Sequence, residues 1–218
     1  IITGTTGMVG KGVLYECLES PDVESVLVIN RQPLGLQHSK LKEIIHNNFH
    51  DLSPLKEELK GYNACFFCMG ISSVGLSEEK YRQVTHDITL HFAEVLLGLN
   101  PEMTFIYVSG TGTDSSEKGR MMWARVKGKT ENAILAMPFK DAYMFRPGYI
   151  QPTRGIKSRT RIYNVFYFFL KPLYPLMKRL IPKYMTDTDL VGKAMINAVL
   201  KGYPKKHLEN ADINKLAE

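Results

Sequence analysis

Residues 1–19 read IITGTTGMVGKGVLYECLE, and this stretch decides the fold class. Gly4, Gly7 and Gly10 form a GxxGxxG pattern between a short apolar strand and a helical pattern. Glycine at such a junction gives a tight turn, lets backbone approach a pyrophosphate, and allows helix and strand to pack closely. The helix that follows directs free N–H groups and a partial positive charge at the phosphates. The opening therefore predicts a strand–loop–helix unit that binds a dinucleotide.

Downstream, strand-like and helix-like patterns alternate to about residue 150. After the opening strand, short apolar runs predict strands at 25–30, 42–47, 64–70, 104–110 and 142–148. Helical spacing predicts helices at 9–18, 77–99 and 121–136, with Ser77 as an N-cap. Such alternation predicts an α/β fold, a doubly wound parallel sheet of the Rossmann-like type. We expect a single NAD(P)-binding domain over 1–218, with 151–187 as a small C-terminal helical substrate lobe or lid.

Composition excludes several classes of protein. The 218 residues are 44% hydrophobic and 23% charged, as in an ordinary globular chain, which excludes disorder and disulfide scaffolds. The net charge of +6 is spread over mixed runs such as KLKEI and SEEKYR, so no nucleic-acid partner is expected. Cys65 and Cys68 are three apart in a predicted strand and point to opposite faces, so no metal site is expected. With no apolar run of about 18 residues and no signal peptide, the predicted location is cytoplasmic.

The end of the second predicted strand bears on the choice of dinucleotide. Asn30 and Arg31 lie about 20 residues beyond Gly10, where a nucleotide-binding fold reads the adenosine ribose. An acid there would accept a hydrogen bond from the 2′-hydroxyl of NAD. The guanidinium of Arg31 suits a 2′-phosphate instead, so NADP is favoured over NAD.

These features together resemble the short-chain dehydrogenase/reductase superfamily. TGTTGMVG followed by VINR is similar to its atypical and extended members, which include nucleoside-diphosphate-sugar epimerases, NmrA-like proteins and Tat-interacting reductase-like proteins. HDL (50–52), CMGIS (68–72), RPGYI (146–150) and TDTDLVGKAMINAVLKG (186–202) occur in the order and spacing of that family. The resemblance implies cofactor contacts at Gly4, Thr6, Gly7, Met8, Val9, Gly10, Asn30, Arg31, Asp51, Leu52, Met69, Gly70, Lys127, Pro147 and Gly148.

The resemblance also implies where catalytic residues would lie. The family carries a Ser or Thr after the fifth strand and a Tyr-x-x-x-Lys on the next helix. Here IYVSGTGT (106–113) offers Ser109 and Thr111, although a polar strand end explains Ser109 equally well. MMWARVKGKTEN (121–132) places Lys127 on the lysine and Trp123 on the tyrosine. An indole N–H donates a hydrogen bond but exchanges no proton near neutral pH, so the usual acid is missing.

The region after the sixth strand has two open interpretations. Arg154, Lys157, Arg159 and Arg161 occur without an acid among them, either as a clamp for an anionic substrate such as a sugar-nucleotide pyrophosphate or as an exposed loop. The segment 162–185, with its aromatic run at 163–170, fits a membrane-surface contact, a dimer face, a lid or core packing. Two literal YxxxK strings lie there and are interpreted as chance matches: Tyr167–Lys171 and Tyr174–Lys178.

Two functional hypotheses follow from these residues. The first is an NADP-dependent oxidoreductase or sugar-nucleotide epimerase-like enzyme with an atypical acid, acting on an unknown small molecule. The second is a non-catalytic NADP(H)-sensing or protein-interaction module of the NmrA-like type. Retention of Lys127 with Ser109 and Thr111 favours the first hypothesis, and Trp123 favours the second.

Overall fold

A parallel sheet forms the centre of the chain in a computed structural model, which describes residues 1–157 and 174–218. Its seven strands are β1 (Ile2–Thr3), β2 (Val26–Asn30), β3 (Leu41–Ile45), β4 (Ala64–Phe67), β5 (Thr104–Val108), β6 (Asp141–Arg146) and β9 (His207–Glu209). They lie in the order β3-β2-β1-β4-β5-β6-β9. Successive strands are added on one side of β1 up to β3 and on its other side from β4 onward, so the strand order reverses between β1 and β4. Open α/β sheets bind their ligands at such a point.

Helices cover both faces of this sheet. They are α1 (Met8–Glu19), α2 (Glu78–Arg82), α3 (Ile88–Leu99), α4 (Met122–Leu135), α5 (Tyr174–Leu180), α6 (Thr188–Lys201) and α7 (Asn210–Leu216). A π-helical turn (Gln83–Asp87) joins α2 to α3, so the helix predicted at 77–99 is continuous. The Ser77 hydroxyl accepts a hydrogen bond from the Lys80 N–H at 3.4 Å, which confirms the predicted N-cap.

Strand residues alternate between two apolar cores, one on each face. On β5, Phe105 and Tyr107 pack in one core with Phe67 and Phe92, while Ile106 packs in the other. Burial on both faces makes these strands uniformly apolar, as the sequence predicted. The doubly wound, Rossmann-like parallel sheet is therefore confirmed.

The two cysteines of the CxxC string lie on opposite faces. Cys65 packs in the first core, and Cys68 packs against the second. Burial raises the pKa of the Cys65 thiol to about 12, so it stays protonated at neutral pH. Among the described residues, no cluster of His, Cys, Asp or Glu could hold a metal ion.

The C-terminal part contains strands that the sequence pattern did not predict. β7 (Tyr149–Gln151) pairs in parallel with β8 (Met185–Asp187), and β9 extends the main sheet beside β6. Each has three residues, too few for a two-residue period to stand out. The described part of 151–187 is therefore mixed, with α5 and β8 rather than helices alone. Within the described ranges, no helix is both long enough and apolar enough to cross a membrane.

Candidate dinucleotide site and active site

The glycine loop packs directly on the end of β4. Gly4 has a φ of +72°, and a Cβ built on it would lie 2.6 Å from the Cys68 carbonyl oxygen. A Cβ on Gly10 would lie 2.5 Å from the Gly4 carbonyl oxygen. The Gly7 N–H donates to that same carbonyl oxygen at 2.8 Å and closes the turn. Gly4 and Gly10 are thus required by backbone contacts, as the pattern predicted.

The N-terminus of α1 is open toward this loop. Gly7 is the N-cap, no side chain caps the helix, and no acid lies in its first turn. Thr6, Gly7, Met8 and Val9 are all partly exposed. Free N–H groups and the helix dipole at such an end favour an anion. This arrangement fits a pyrophosphate.

A pocket of about 360 Å³ adjoins the loop at the ends of β2 and β3. It is lined by Thr6, Arg31, Gln32 and Asn47. The exposed Arg31 guanidinium makes no hydrogen bond or ion pair with any residue in the described ranges. Gln32 and Asn47 were not predicted, although both follow strands whose carboxyl ends meet at this edge of the sheet.

The neighbouring Asn30 has a different part in the structure. Its side-chain amide donates to Glu43 Oε1 at 2.9 Å, and its carbonyl accepts from the Thr5 hydroxyl at 2.8 Å. Glu43 also accepts from the Leu34 N–H at 3.0 Å. Asn30 is buried, and these bonds tie the ends of β1, β2 and β3 together. It supports the pocket rather than offering a free side chain to it.

The predicted adenine and ribose contacts lie on the loops after β3 and β4. The Asp51 carboxylate accepts from the Ser53 N–H at 3.0 Å and hydroxyl at 2.6 Å, which lower its pKa below the usual range. Leu52 is buried in the first core. Met69 is partly buried against that core, and Gly70 is exposed. Asp51 and Gly70 are exposed, Met69 is partly exposed, and Leu52 is buried.

Lys127 and Trp123 lie one turn apart on α4. The Lys127 ammonium donates to the Ser109 carbonyl oxygen, which joins α4 to the end of β5. Burial lowers the pKa of Lys127 to about 8, and the negative charge of Glu131 acts in the opposite direction. The partly buried Trp123 ring lies against Gly112, where a Cβ would be 3.5 Å from its Cη2 atom.

Ser109 and Thr111 differ sharply in their surroundings. The Ser109 hydroxyl is buried and donates to the Glu131 carboxylate, with the Phe145 carbonyl oxygen also within 3.1 Å. The exposed Thr111 hydroxyl lies 3.0 Å from the Arg146 carbonyl oxygen and donates to it. These contacts favour the interpretation of Ser109 as a structural residue, and they leave Thr111 nearer to solvent.

A buried ionic cluster behind Ser109 was missed from the sequence. Glu131 is fully buried, and Arg146 Nε donates to its Oε1 at 3.0 Å and lies 3.2 Å from its Oε2. His207 Nε2 lies 3.5 Å from Glu131 Oε2. Glu131 follows Lys127 by four residues, so both lie on one side of α4. This four-residue spacing was the one signal for the cluster in the sequence, and it does not indicate which residues pair with Glu131.

The Arg-Pro-Gly segment after β6 closes this end of the site. The Thr111 N–H donates to the Pro147 carbonyl oxygen at 3.0 Å, and the Gly148 N–H donates to Asn210 Oδ1 at 2.9 Å. Pro147 is buried, while Gly148 is exposed. Both predicted cofactor contacts therefore lie beside the loop that follows β5.

The anion clamp predicted after β6 is contradicted at Arg154. Its guanidinium pairs with Glu16, with Glu19 at 2.6 Å, and with Asp189 at 3.1 Å. These carboxylates come from α1 and α6, and they neutralise the charge that a substrate would need. Lys157 is described and exposed. The other two residues of that proposal lie outside the described ranges, as do the first YxxxK string and most of the segment 162–185: Arg159, Arg161, Tyr167, Lys171 and 163–170.

Comparisons with known proteins agree with the fold. No model of a known protein family matches the sequence. A short-chain dehydrogenase/reductase from Saccharomyces cerevisiae is similar, with a TM-score of 0.66 and 13% identity, covering 99% of this chain and 96% of that one. The Bordetella bronchiseptica enzyme WbmH, solved with NAD⁺, has a TM-score of 0.66 and 14% identity over 95% of this chain and 74% of that one. The fold that the resemblance to short-chain dehydrogenases/reductases implied is confirmed.

The chain is similar in sequence to a group of fungal proteins. "Protein fmp52, mitochondrial" of Emericella nidulans is 25% identical over 207 residues, which cover 92% of this chain and 86% of that protein. Six curated relatives carry an FMP52 name with the word mitochondrial. These names contradict the cytoplasmic location predicted from composition. Cellular location is determined by targeting signals that receptors recognise, and the composition of a folded domain does not show whether such a signal is present.

Proposed function

We propose that this chain binds NADP(H) and uses it to reduce a carbonyl compound, or to oxidise the corresponding alcohol. The observation that carries the proposal is the uncapped end of α1 beside a pocket lined by Thr6 and Arg31. The helix end offers free N–H groups, and the pocket offers a guanidinium that has no partner among the described residues. Because Gly4 has no side chain, the loop packs on the backbone that follows β4.

Each part of the dinucleotide has residues that fit it. The N–H groups at the start of α1 would hold the pyrophosphate. Arg31, with Thr6, Gln32 and Asn47, would hold the 2′-phosphate, because a guanidinium binds phosphate through paired hydrogen bonds. Lys127, which lies beside the end of β5, would hold the nicotinamide ribose.

A bound nicotinamide dinucleotide supplies the hydride for this reaction. Lys127 places a positive charge where a carbonyl oxygen gains negative charge, and it is mainly protonated at neutral pH because its pKa is about 8. Trp123 donates a hydrogen bond without exchanging a proton. The solvent-facing Thr111 hydroxyl would relay the proton from water. Arg154, one of the two described residues of the predicted anion clamp, is already neutralised, and this favours a reductase over a sugar-nucleotide epimerase.

One observation favours a second candidate function, an NADP(H)-binding module without turnover. The Ser109 hydroxyl is directed at Glu131 and is buried, so it is not free to polarise a substrate oxygen. By the resemblance to short-chain dehydrogenases/reductases, Trp123 would lie where those enzymes carry their tyrosine acid. NADPH oxidation with a panel of carbonyl compounds separates the two candidates, because only the first predicts consumption of the cofactor.

Replacing Arg31 tests the choice of cofactor. We expect NADPH to bind more tightly than NADH, and Arg31→Ala to remove about 1–3 kcal/mol of that preference by deleting a charge-assisted contact. The measurement is titration of both cofactors by fluorescence. Lys56→Ala is the control, since it removes the same charge from an exposed position outside the pocket. An unchanged ratio of the two affinities in Arg31→Ala would show that Arg31 does not contact the 2′-phosphate.

Replacing Trp123 tests the missing acid. Trp123→Tyr places a phenol one turn before Lys127, so we expect reductase turnover to rise, within the roughly 10²–10⁴-fold that general acid catalysis provides. NADPH affinity should stay unchanged. Trp123→Phe is the matched control, because it reduces the ring in the same way without adding a titratable proton. Fast wild-type turnover that survives in Trp123→Phe would show that another group delivers the proton.

A further inference from the structure

Large apolar side chains are exposed on the loops that follow β4 and β5. Ile71 (38% exposed) and Val74 (82%) lie on the loop between β4 and α2, and Met121 (59%) lies just before α4. Both loops follow strands at the carboxyl edge of the sheet, where ligands bind. Single exposed apolar residues are ordinary, but three on adjoining loops at this edge of the sheet form a surface that a ligand can cover. We call these three residues the apolar rim.

An ion pair brings the two halves of the apolar rim together. Arg125 Nη2 donates to Glu78 Oε2 at 2.5 Å, which joins the start of α4 to the start of α2. Arg125 Nη1 also donates to the Gly119 carbonyl oxygen at 2.6 Å and fixes the loop before α4. The rim therefore lies on two loops that are held against each other, with the Trp123 ring on the same helix as Arg125.

Among the described residues, the partly buried arginines of α4 and β6 are not free to bind an anionic ligand. Arg125 is occupied by Glu78, and Arg146 is occupied by Glu131. Lys118 and Arg120 are exposed on the loop before α4. Such solvated cations add little to affinity, whereas recognition of a pyrophosphate relies on a guanidinium that is held in place and partly desolvated.

We propose that the substrate of this site is a small uncharged carbonyl compound with an apolar chain, rather than a sugar nucleotide. This inference rests on the proposed function, and it names the class of compound that the function acts on. The carbonyl carbon receives the hydride of NADPH, the carbonyl π-electrons move to the oxygen, and that oxygen takes a proton from water. NADPH is oxidised to NADP⁺, and the carbonyl compound is reduced to an alcohol. The apolar chain lies over Ile71, Val74 and Met121.

Ligand binding can be measured without turnover through the fluorescence of Trp123, because it is the chain's single tryptophan. Straight-chain primary amides of increasing length are unreactive carbonyl probes, and they can be titrated against Trp123 emission with NADP⁺ present. We expect affinity to rise about fourfold for each methylene that becomes buried, up to the length of the rim. Straight-chain aldehydes should show the same trend in kcat/KM for NADPH oxidation.

Three variants make this test specific. Val74→Ser and Met121→Ser should each flatten the dependence on chain length and leave NADPH affinity unchanged. Arg120→Ser, a neighbouring exposed residue, should change neither. Affinity that does not depend on chain length would overturn the inference, as would UDP-glucose displacing the amides and losing that ability in Arg120→Ser.

Other results would contradict the proposed function itself. They are the absence of energy transfer from Trp123 to NADPH, which would mean that NADPH does not bind, and the absence of NADPH oxidation with any aldehyde. If the amides still bind with the expected dependence on length, the apolar ligand class is supported although the reaction is not. If aldehydes are reduced equally well at every length, the reaction is supported and the apolar class is overturned.

Discussion

Glu131→Leu is expected to lower the free energy of unfolding by about 3–5 kcal/mol, because it removes one partner of a buried ion pair. Glu131 has no exposed surface, and the side chain of Arg146 is only 13% exposed. Without the carboxylate, the largely buried Arg146 guanidinium keeps only the more distant Glu209, at 3.7 Å, as a carboxylate partner within the described ranges. The Ser109 hydroxyl then keeps only the Phe145 carbonyl oxygen as an acceptor there. Urea unfolding followed by circular dichroism measures the change.

A double variant separates the pair from simple loss of packing. Glu131→Leu combined with Arg146→Met replaces both charges by apolar groups, and such replacements are often close to neutral. We expect the double variant to be more stable than Glu131→Leu alone. Glu117→Gln is the control: this exposed carboxylate should change stability by no more than about 0.5 kcal/mol. Additive costs for the two buried substitutions would mean that Glu131 and Arg146 are not coupled.

Gly7→Val is expected to weaken NADPH binding by roughly 100-fold or more, which corresponds to about 2.7 kcal/mol. The branched side chain would occupy the space where the pyrophosphate approaches the start of α1. The fold should persist, because the φ of −90° at Gly7 is open to any residue. Its added Cβ would lie 3.2 Å from the Gly4 carbonyl oxygen, so the loop must shift by a few tenths of an ångström. Quenching of Trp123 by NADPH measures binding, and the thermal midpoint reports the fold.

Gly10→Ala provides the contrast within the same loop. Its Cβ would lie 2.5 Å from the Gly4 carbonyl oxygen and 2.9 Å from the Thr5 nitrogen, and both atoms belong to the backbone. We therefore expect a loss of stability of about 1–3 kcal/mol or more from overpacking. Normal NADPH binding by Gly7→Val would show that the dinucleotide does not cross this loop.

The fold could be predicted because its signals are local. The apolar runs at β2, β4 and β5 mark buried strands, and the spacing of Val13, Leu14 and Cys17 marks one face of α1. The strands β7, β8 and β9 were not predicted, since three residues each give too little pattern. Their pairing depends on segments that lie far apart in the chain.

The candidate site divides in the same way. Gly4, Gly10 and Arg31 were predicted, because a tight turn and a strand end can be recognised from neighbouring residues. The sequence gives no means of finding Gln32 and Asn47 as pocket residues, since that depends on β2 and β3 lying side by side. Nor does it show that Ser109 is directed at Glu131, on the helix that follows β5.

By itself, the sequence determined the strand–loop–helix unit, the two-faced parallel sheet and the positions of Lys127 and Trp123 on one helix. Backbone geometry and apolar periodicity involve only a few neighbouring residues, so the local sequence pattern is enough to predict them. Only the tertiary structure decided which charges are free. Arg31 and Arg154 were both predicted to bind an anionic group. In the structure, Arg31 lines a pocket, whereas Arg154 is neutralised by carboxylates from α1 and α6. A charge depends on its partners, and packing brings those partners from distant parts of the chain.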